Sequence, residues 1–485
     1  MIQDCYTSFS KPFPIRLRRI THPRPLLIEG RQHDVLLYSA ICATGSLEGF
    51  KYLRKSCILV FVTIFACTLG VEKQEGFSKD NRLDSVTEEI ALDVAAIRGL
   101  EFKTPFRCGT KTKDELREYL KEIVKEEIPG DKLAAYQKAL VKFGLIPVDM
   151  PLENLILELY TEQVAGFYDW RTKMLYLIDD IPEDLLRVVT SHELTHTLQD
   201  QYVGIQNLPI SREKENDDRI MATQALMEGD AVSVMLDYTL KSAGKDSTTL
   251  PDLDPLMDEL TNSMGEQLIA SAPAYVRQNM LFPYIQGFTF TRQLRQSGGW
   301  SQVNRAFEDP PRSTEQILHP KKYLEAMDIP TTITLQPLSE ELGHGWTFLD
   351  KNTMGEFNIN ILLNEFLKDA PKTTAMGWDG DLYQVYEHNP SGKTALVWFT
   401  TWDSDIDAQE FLEGYASVLE KKYGSERIDT GQNRRIFPAY KNGGRVTEAY
   451  MELRENDVLV LDGVPDASID AVRASAWRAI KAEKP

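Results

Sequence analysis

The sequence predicts an α+β protein: a mostly helical region with one small hairpin, then a smaller α+β module. Three observations lead there. Across residues 86–370, apolar residues recur mainly three and four apart, the period of a helix with one buried face. From about residue 376 the pattern changes to alternation, the period of a strand. The composition, 42% hydrophobic and 26% charged over 485 residues, is that of a globular chain long enough for two or three cores. It excludes wholesale disorder, a collagen and a multi-span membrane protein. The net charge of −19, with no long basic run past residue 60, argues against nucleic acid as a partner.

The N-terminus carries an apolar run from Cys57 to Ala66, preceded by Lys51, Arg54 and Lys55. It is too short to cross a bilayer, which takes about 20 residues of helix. A basic flank, a short apolar stretch and a small residue at its end are the parts of a secretory signal. Its last four residues, Ile64-Phe65-Ala66-Cys67, resemble the lipobox of bacterial lipoproteins. That resemblance implies cleavage before Cys67, lipid on its thiol, and an exported protein anchored to the outer face of the cell membrane. Plain secretion and a buried strand are the other readings of the run. About 50 residues precede it, so residues 1–66 are read as a leader from too early a start plus a lipoprotein signal. Their loss leaves Cys67 and Cys108, and with lipid on Cys67 no disulfide can form within the chain.

Residues 67–85 are polar and charged, as a tether would be. Ser85-Val-Thr-Glu-Glu then opens a helix with a capping signature. Residues 100–108 read as a strand. Helices follow at 113–127, where Leu116, Leu120 and Val124 recur every fourth residue, and at 131–143, separated by Pro129-Gly130. Residues 164–178 read as a hairpin. Long helices follow at 183–203, 217–242, 255–270 and 273–296, and another at 354–368. The domain so delimited is 86–370. In the module at 376–485, strands are expected at 382–387, 394–401, 434–440, 445–453 and 458–464, with helices at 405–422 and 468–482. Its Trp378-Asp-Gly-Asp381 and Trp402-Asp-Ser-Asp405 lack the spacing of a calcium loop and read as turns and caps.

The chemistry is concentrated in His192-Glu193-Leu194-Thr195-His196. Residues four apart share a helix face, so His192 and His196 can offer ring nitrogens to one Zn²⁺. Glu193, one step round the helix, can reach a water at that metal as general base and then general acid. With 7 histidines in the chain, the pattern arises by chance about 0.01 times. A catalytic zinc needs a third ligand. Gln199 and Tyr202 stand where a metzincin has Gly and His, which excludes that class. Glu228, in Ala225-Leu-Met-Glu-Gly-Asp-Ala231, is the leading third ligand, and Asp230 is expected to support the ligands or, alternatively, to be the third ligand itself. Gly229, costly inside a helix, suggests a close approach there. Asp200, four after His196, either orients that imidazole or is an ordinary surface acid.

His192, Glu193, His196 and Glu228 together resemble the gluzincin metallopeptidases. The resemblance implies a zinc peptidase in a zincin-like domain, with a strand before the metal helix lining the cleft. Residues 174–178 occupy the matching place. Val232 stands where thermolysin-like enzymes have an Asp, so the support of the ligands must differ. A closer resemblance is to a group of uncharacterised bacterial exported proteins, carried by Glu162-Gln-Val-Ala-Gly-Phe-Tyr-Asp169, Phe282-Pro-Tyr-Ile-Gln-Gly287 and Pro310-Pro-Arg-Ser-Thr-Glu-Gln-Ile-Leu-His-Pro320. Gluzincins commonly hold the oxyanion with a His or a Tyr. His319 is the leading candidate, and Tyr284 is the second.

The expected function is hydrolysis of a peptide or protein substrate by metal-activated water. Two alternatives stay open. One is a non-proteolytic exported binding lipoprotein that keeps a zinc-site fold. The other is a zinc amidase acting on cell-wall material.

Overall fold

A computed structural model of the chain describes residues 81–482, apart from 128–129, 214, 251–267, 369, 432 and 442–443. The leader, the signal with Cys67, most of the tether and most of the helix expected at 255–270 lie outside the described residues. The fold is α+β. All described residues belong to one compact unit. No helix among them is long and apolar enough to cross a membrane.

The first half contains α1 (Asn81–Arg98), β1 (Arg107–Lys111), α2 (Lys113–Glu127), α3 (Gly130–Phe143) and α4 (Leu152–Gln163). Then come β2 (Gly166–Asp169), β3 (Met174–Ile178), α5 (Glu183–Tyr202), α6 (Asp217–Leu240), α7 (Ala274–Glu308) and α8 (Thr314–Leu318). The hairpin is present, with β2 antiparallel to β3 and Lys173 at positive φ in its turn. β1 lies at 107–111, not 100–108, and pairs parallel to β3 on the other side, giving the order β1-β3-β2. α1 begins at residue 81, inside the stretch read as tether. α4 has no counterpart among the expected helices.

α6 is buried on nearly every side, so it is the axis around which α1, α5 and α7 pack. Leu194, Leu198, Leu226, Met227, Val234 and Phe290 fill that core. α6 meets α7 where Gly229 faces Gly287. A Cβ on Gly229 would lie 2.0 Å from the Gly287 carbonyl oxygen, and one on Gly287 would lie 2.1 Å from the Ala225 oxygen. Two backbones this close leave room only for hydrogen, which explains a glycine in the middle of each helix.

The second half contains β4 (Trp346–Asn352), α9 (Gly355–Leu367), β5 (Trp378–His388), β6 (Lys393–Trp402), α10 (Asp405–Tyr423) and β7 (Ile428–Asp429). It ends with β8 (Arg434–Lys441), β9 (Gly444–Arg454), β10 (Asp457–Asp462) and α11 (Ile469–Ala476). The strands form one antiparallel sheet in the order β4-β5-β6-β10-β9-β8-β7. Side chains alternate between its faces. Tyr383, Val385 and Trp398 pack with Phe411, Tyr415 and Phe143 on one side. Leu382, Tyr386, Val397 and Phe399 pack with Val472 and Ala476 on the other.

The two acidic runs serve as caps and anchors. Asp381 accepts hydrogen bonds from the Met354 and Gly355 amides and from the Trp378 and Trp398 indoles, all at 2.9–3.0 Å. Ser404 caps α10 through the Asp407 amide. The sheet begins at residue 346, so a boundary at 370–376 falls between two of its strands. α3, from the first half, sits on the same core, with the Phe143 ring 5.3 Å from Tyr383 and 5.2 Å from Trp398.

Candidate metal centre

α5 starts directly after Pro182, whose fixed φ suits the entry to a helix. Ten residues on, it turns His192 and His196 onto one face. α6 brings Glu228 to the same point. His192 Nε2 lies 3.1 Å from His196 Nε2 and 3.2 Å from Glu228 Oε2, and the remaining edge, His196 Nε2 to Glu228 Oε2, is 3.5 Å. These three side chains could hold a metal ion. His192, Glu193 and His196 are wholly buried, and Glu228 is 1% exposed.

Burial and mutual charge shape the titration of the group. Burial lowers the pKa of His192. Burial works to lower that of His196 too, but Glu228 and Glu193 outweigh it and raise the value to about 9. Glu228 is held below the usual carboxylate range, because the two imidazoles outweigh the upward push of burial. Glu193 is pushed up to about 8, chiefly by burial. Its carboxylate is buried with no side-chain partner and only the Tyr168 backbone amide beside it, and His192 Nδ1 is buried without a hydrogen-bond partner. A buried carboxylate left so is expensive in a finished fold. It is what a site built to meet a ligand would keep.

The support of His196 comes from Gln199 and Arg98, which the sequence did not single out as supports, together with Asp230. His196 Nδ1 is 2.9 Å from Gln199 Oε1. The Gln199 amide nitrogen donates to the Met227 carbonyl at 2.9 Å and to Asp230 Oδ2 at 3.0 Å. Asp230 Oδ1 in turn accepts from Arg98 Nε at 2.8 Å. Asp230 is therefore behind the metal ligands and is not itself among them. Gln199 lies three residues after His196, on the neighbouring part of the helix face, and that spacing was the available signal.

Asp200 does not orient His196. It accepts from Tyr168 Oη at 2.7 Å, Lys173 Nζ at 2.6 Å and the Ile205 amide at 3.3 Å, so it ties the hairpin to the end of α5. His319 is also elsewhere. Its Nε2 lies 2.9 Å from Glu356 Oε1, just beyond α8, which docks on Asp218 at the start of α6. Asp218 is ten residues from Glu228, about 15 Å along the helix. Tyr284 is the candidate that reaches the centre: its ring is 6.4 Å from that of His192 and roughly parallel to it.

β3 cannot pair with a substrate, because β1 and β2 occupy both of its edges. The outer edges of this sheet belong to β1 and β2, and β2 is buried along its whole length against α5. The Ile178 amide bonds the Ala165 carbonyl at 2.9 Å, so Ala165, Phe167 and Asp169 face β3. Gly166 and Tyr168 then point their backbone groups outward. The Tyr168 amide lies close enough to Glu193 to work against its raised pKa.

A second acidic group, Glu315, Asp328 and Asp403, already surrounds Lys322 Nζ at 2.6, 2.8 and 2.7 Å. The ammonium takes the point between the three carboxyls and offsets part of their charge.

A family model described as a domain of unknown function (DUF8575) matches residues 346–473. No curated protein and no solved structure matches the chain. The matched span runs from the first residue of β4 into α11, so it covers the sheet half and leaves the metal centre outside it.

Proposed function

We propose that the protein is a zinc-dependent peptidase of the gluzincin kind, with His192, His196 and Glu228 as zinc ligands and Glu193 as general base. The observation that carries this reading is the three-donor cluster with a wholly buried carboxylate beside it. A tetrahedral ion with bonds of about 2.0–2.2 Å has ligand–ligand edges of about 3.3–3.6 Å. The observed edges of 3.1, 3.2 and 3.5 Å are close to that. Two imidazoles and one carboxylate are also a donor set that suits Zn²⁺.

Zinc at this point would polarise a scissile carbonyl and acidify water. Glu193 would take the proton of the attacking water and deliver it to the leaving nitrogen. Positive charge at the three donors favours the carboxylate form which that role needs. Tyr284, whose ring lies beside that of His192, would be the candidate donor to the oxyanion. Export and lipid attachment at Cys67 belong to the same proposal and rest on the run 57–67. Fatty-acid labelling that survives Cys67→Ser would refute the anchor.

The complete burial of the centre favours a second reading, in which zinc is held by a protein that binds or scaffolds without cleaving. One experiment separates the two. Zinc content and hydrolysis of a varied peptide library are measured for the wild type and Glu193→Gln. The peptidase reading expects about one zinc per chain in both and turnover in the wild type alone. Zinc without turnover in either would leave the second reading standing.

A further inference from the structure

We propose that Arg98, the last residue of α1, is a positioning residue for the metal centre, acting through Asp230 and Gln199 on His196. The inference rests on the reading of His196 as a metal ligand. Arg98 is only 2% exposed, and an arginine so deep in a protein is there because something pairs with it. Its partner Asp230 is wholly buried. The guanidinium also lies over the Trp300 ring, 4.6 Å from its centre, so the fork is held from two sides.

The direction of each hydrogen bond follows from chemistry. The Asp230 carboxylate can only accept, so Gln199 must turn its amide nitrogen towards it. The same nitrogen also meets the Met227 carbonyl, another pure acceptor. With its nitrogen so committed, Gln199 has only its oxygen to present to His196 Nδ1. An amide oxygen accepts, so Nδ1 carries a proton, which leaves Nε2, facing His192 and Glu228, as the nitrogen to offer a metal. Arg98 Nε donates to the other Asp230 oxygen and fixes that carboxylate in place, and the rest of the chain of bonds starts from there.

The neighbouring ligand makes this support weigh more. His192 Nδ1 has no hydrogen-bond partner. Of the two imidazoles, His196 is the one whose tautomer is set by the protein. α1 stands almost a hundred residues before the ligands in sequence, yet its final side chain is three contacts from a ligand nitrogen.

The test is zinc affinity of the purified full chain, by chelator competition, in Arg98→Met, Gln199→Met and the double variant. Each single change is expected to weaken zinc binding by about 10- to 100-fold. The double variant is expected to bind no more weakly than Gln199→Met, because the influence of Arg98 passes through Gln199. Cobalt(II) absorption, which reports ligand geometry, is expected to shift in Arg98→Met although Arg98 touches no ligand. Should Arg98→Met fail to fold, Arg98→Lys carries the test with an expected loss of about three- to tenfold, since lysine lacks the planar fork. Wild-type affinity in a folded Arg98 variant, or losses that multiply in the double variant, would overturn the inference alone. A wild-type chain that takes up no zinc would overturn the metal centre and the inference with it.

Discussion

Consecutive turns of α5 stack His192 over His196, and that local fact brings two ring nitrogens to one point without help from the rest of the fold. It is why these two residues, with Glu193 between them, were legible in the sequence. Glu228 was legible for a different reason: an acid flanked by Ala225, Gly229 and Ala231 marks a helix made narrow for close packing. Asp230 was named as a support, but Gln199 and Arg98 were not legible, because spacing along a helix does not say what the next helix offers. Gln199 and Asp200 are adjacent, and each is a turn away from His196. Only the positions of Asp230 and the Met227 carbonyl make Gln199 the partner, while Tyr168 and Lys173 draw Asp200 to the hairpin. Asp200→Asn is therefore expected to leave zinc affinity within about twofold. It should cost about 1–3 kcal/mol of stability, since the buried carboxylate accepts from an ammonium, a phenol and an amide. Chelator competition and urea unfolding on one sample would check both halves. A large loss of zinc would return Asp200 to the metal centre.

The crossing of α6 and α7 sets how near Glu228 can come to α5. Gly229→Ala would place a methyl 2.0 Å from the Gly287 carbonyl oxygen, and no flexible side chain is there to yield. The helices must separate, at a cost of about 1–3 kcal/mol or more. Glu228, the preceding residue, moves with α6, so zinc binding should weaken in parallel. Gly287→Ala meets the Ala225 oxygen and should do the same. Gly130→Ala, with nothing within 4 Å, is the control and should be neutral or slightly stabilising. Zinc affinity and Tm that stay unchanged in Gly229→Ala would refute the close crossing. α2, where Leu116, Leu120 and Val124 recur every fourth residue, has one clean period and was readable from it. α4 was missed because Leu152, Leu155, Ile156, Leu157 and Leu159 crowd apolar residues together until no face stands out. β4 was missed because it is an edge strand, half-buried along most of its length, and so shows no alternation.

At the scale of the molecule, the helical half and the sheet are fastened by a buried charge as well as by a shared core. Asp462, on β10, is wholly buried and meets Lys142 of α3 and Lys422 of α10, each at 2.7 Å, as well as the Tyr423 hydroxyl. Burial alone would raise its pKa, but the two ammonium groups outweigh that and bring it down to about 2. A carboxyl held below its unfolded value stabilises the fold above about pH 4, and the contribution disappears as pH falls through about 2. The amount is about 2 kcal/mol. Asp462→Asn should accordingly flatten the acid limb of stability between pH 4 and pH 2, measured by denaturant unfolding across that range. An unchanged acid limb would mean that the pair contributes nothing. The same fastening decides whether the C-terminal part folds alone. A fragment of residues 376–485 lacks β4, which pairs with β5 through Trp346–Asn352. It also lacks α9 and α3, which cover the face bearing Tyr383, Val385 and Trp398. Such a fragment would expose a bare strand edge and an uncovered aromatic face, so it is expected to aggregate or to unfold without a sharp transition. The span from β4 onward, 346–482, restores the edge and α9 but still lacks Phe143 and Lys142, and is expected to fold with reduced stability. A cooperative urea transition in 376–485 as steep as that of the longer piece would show that the sheet is an independent domain, and that α3 only leans against it.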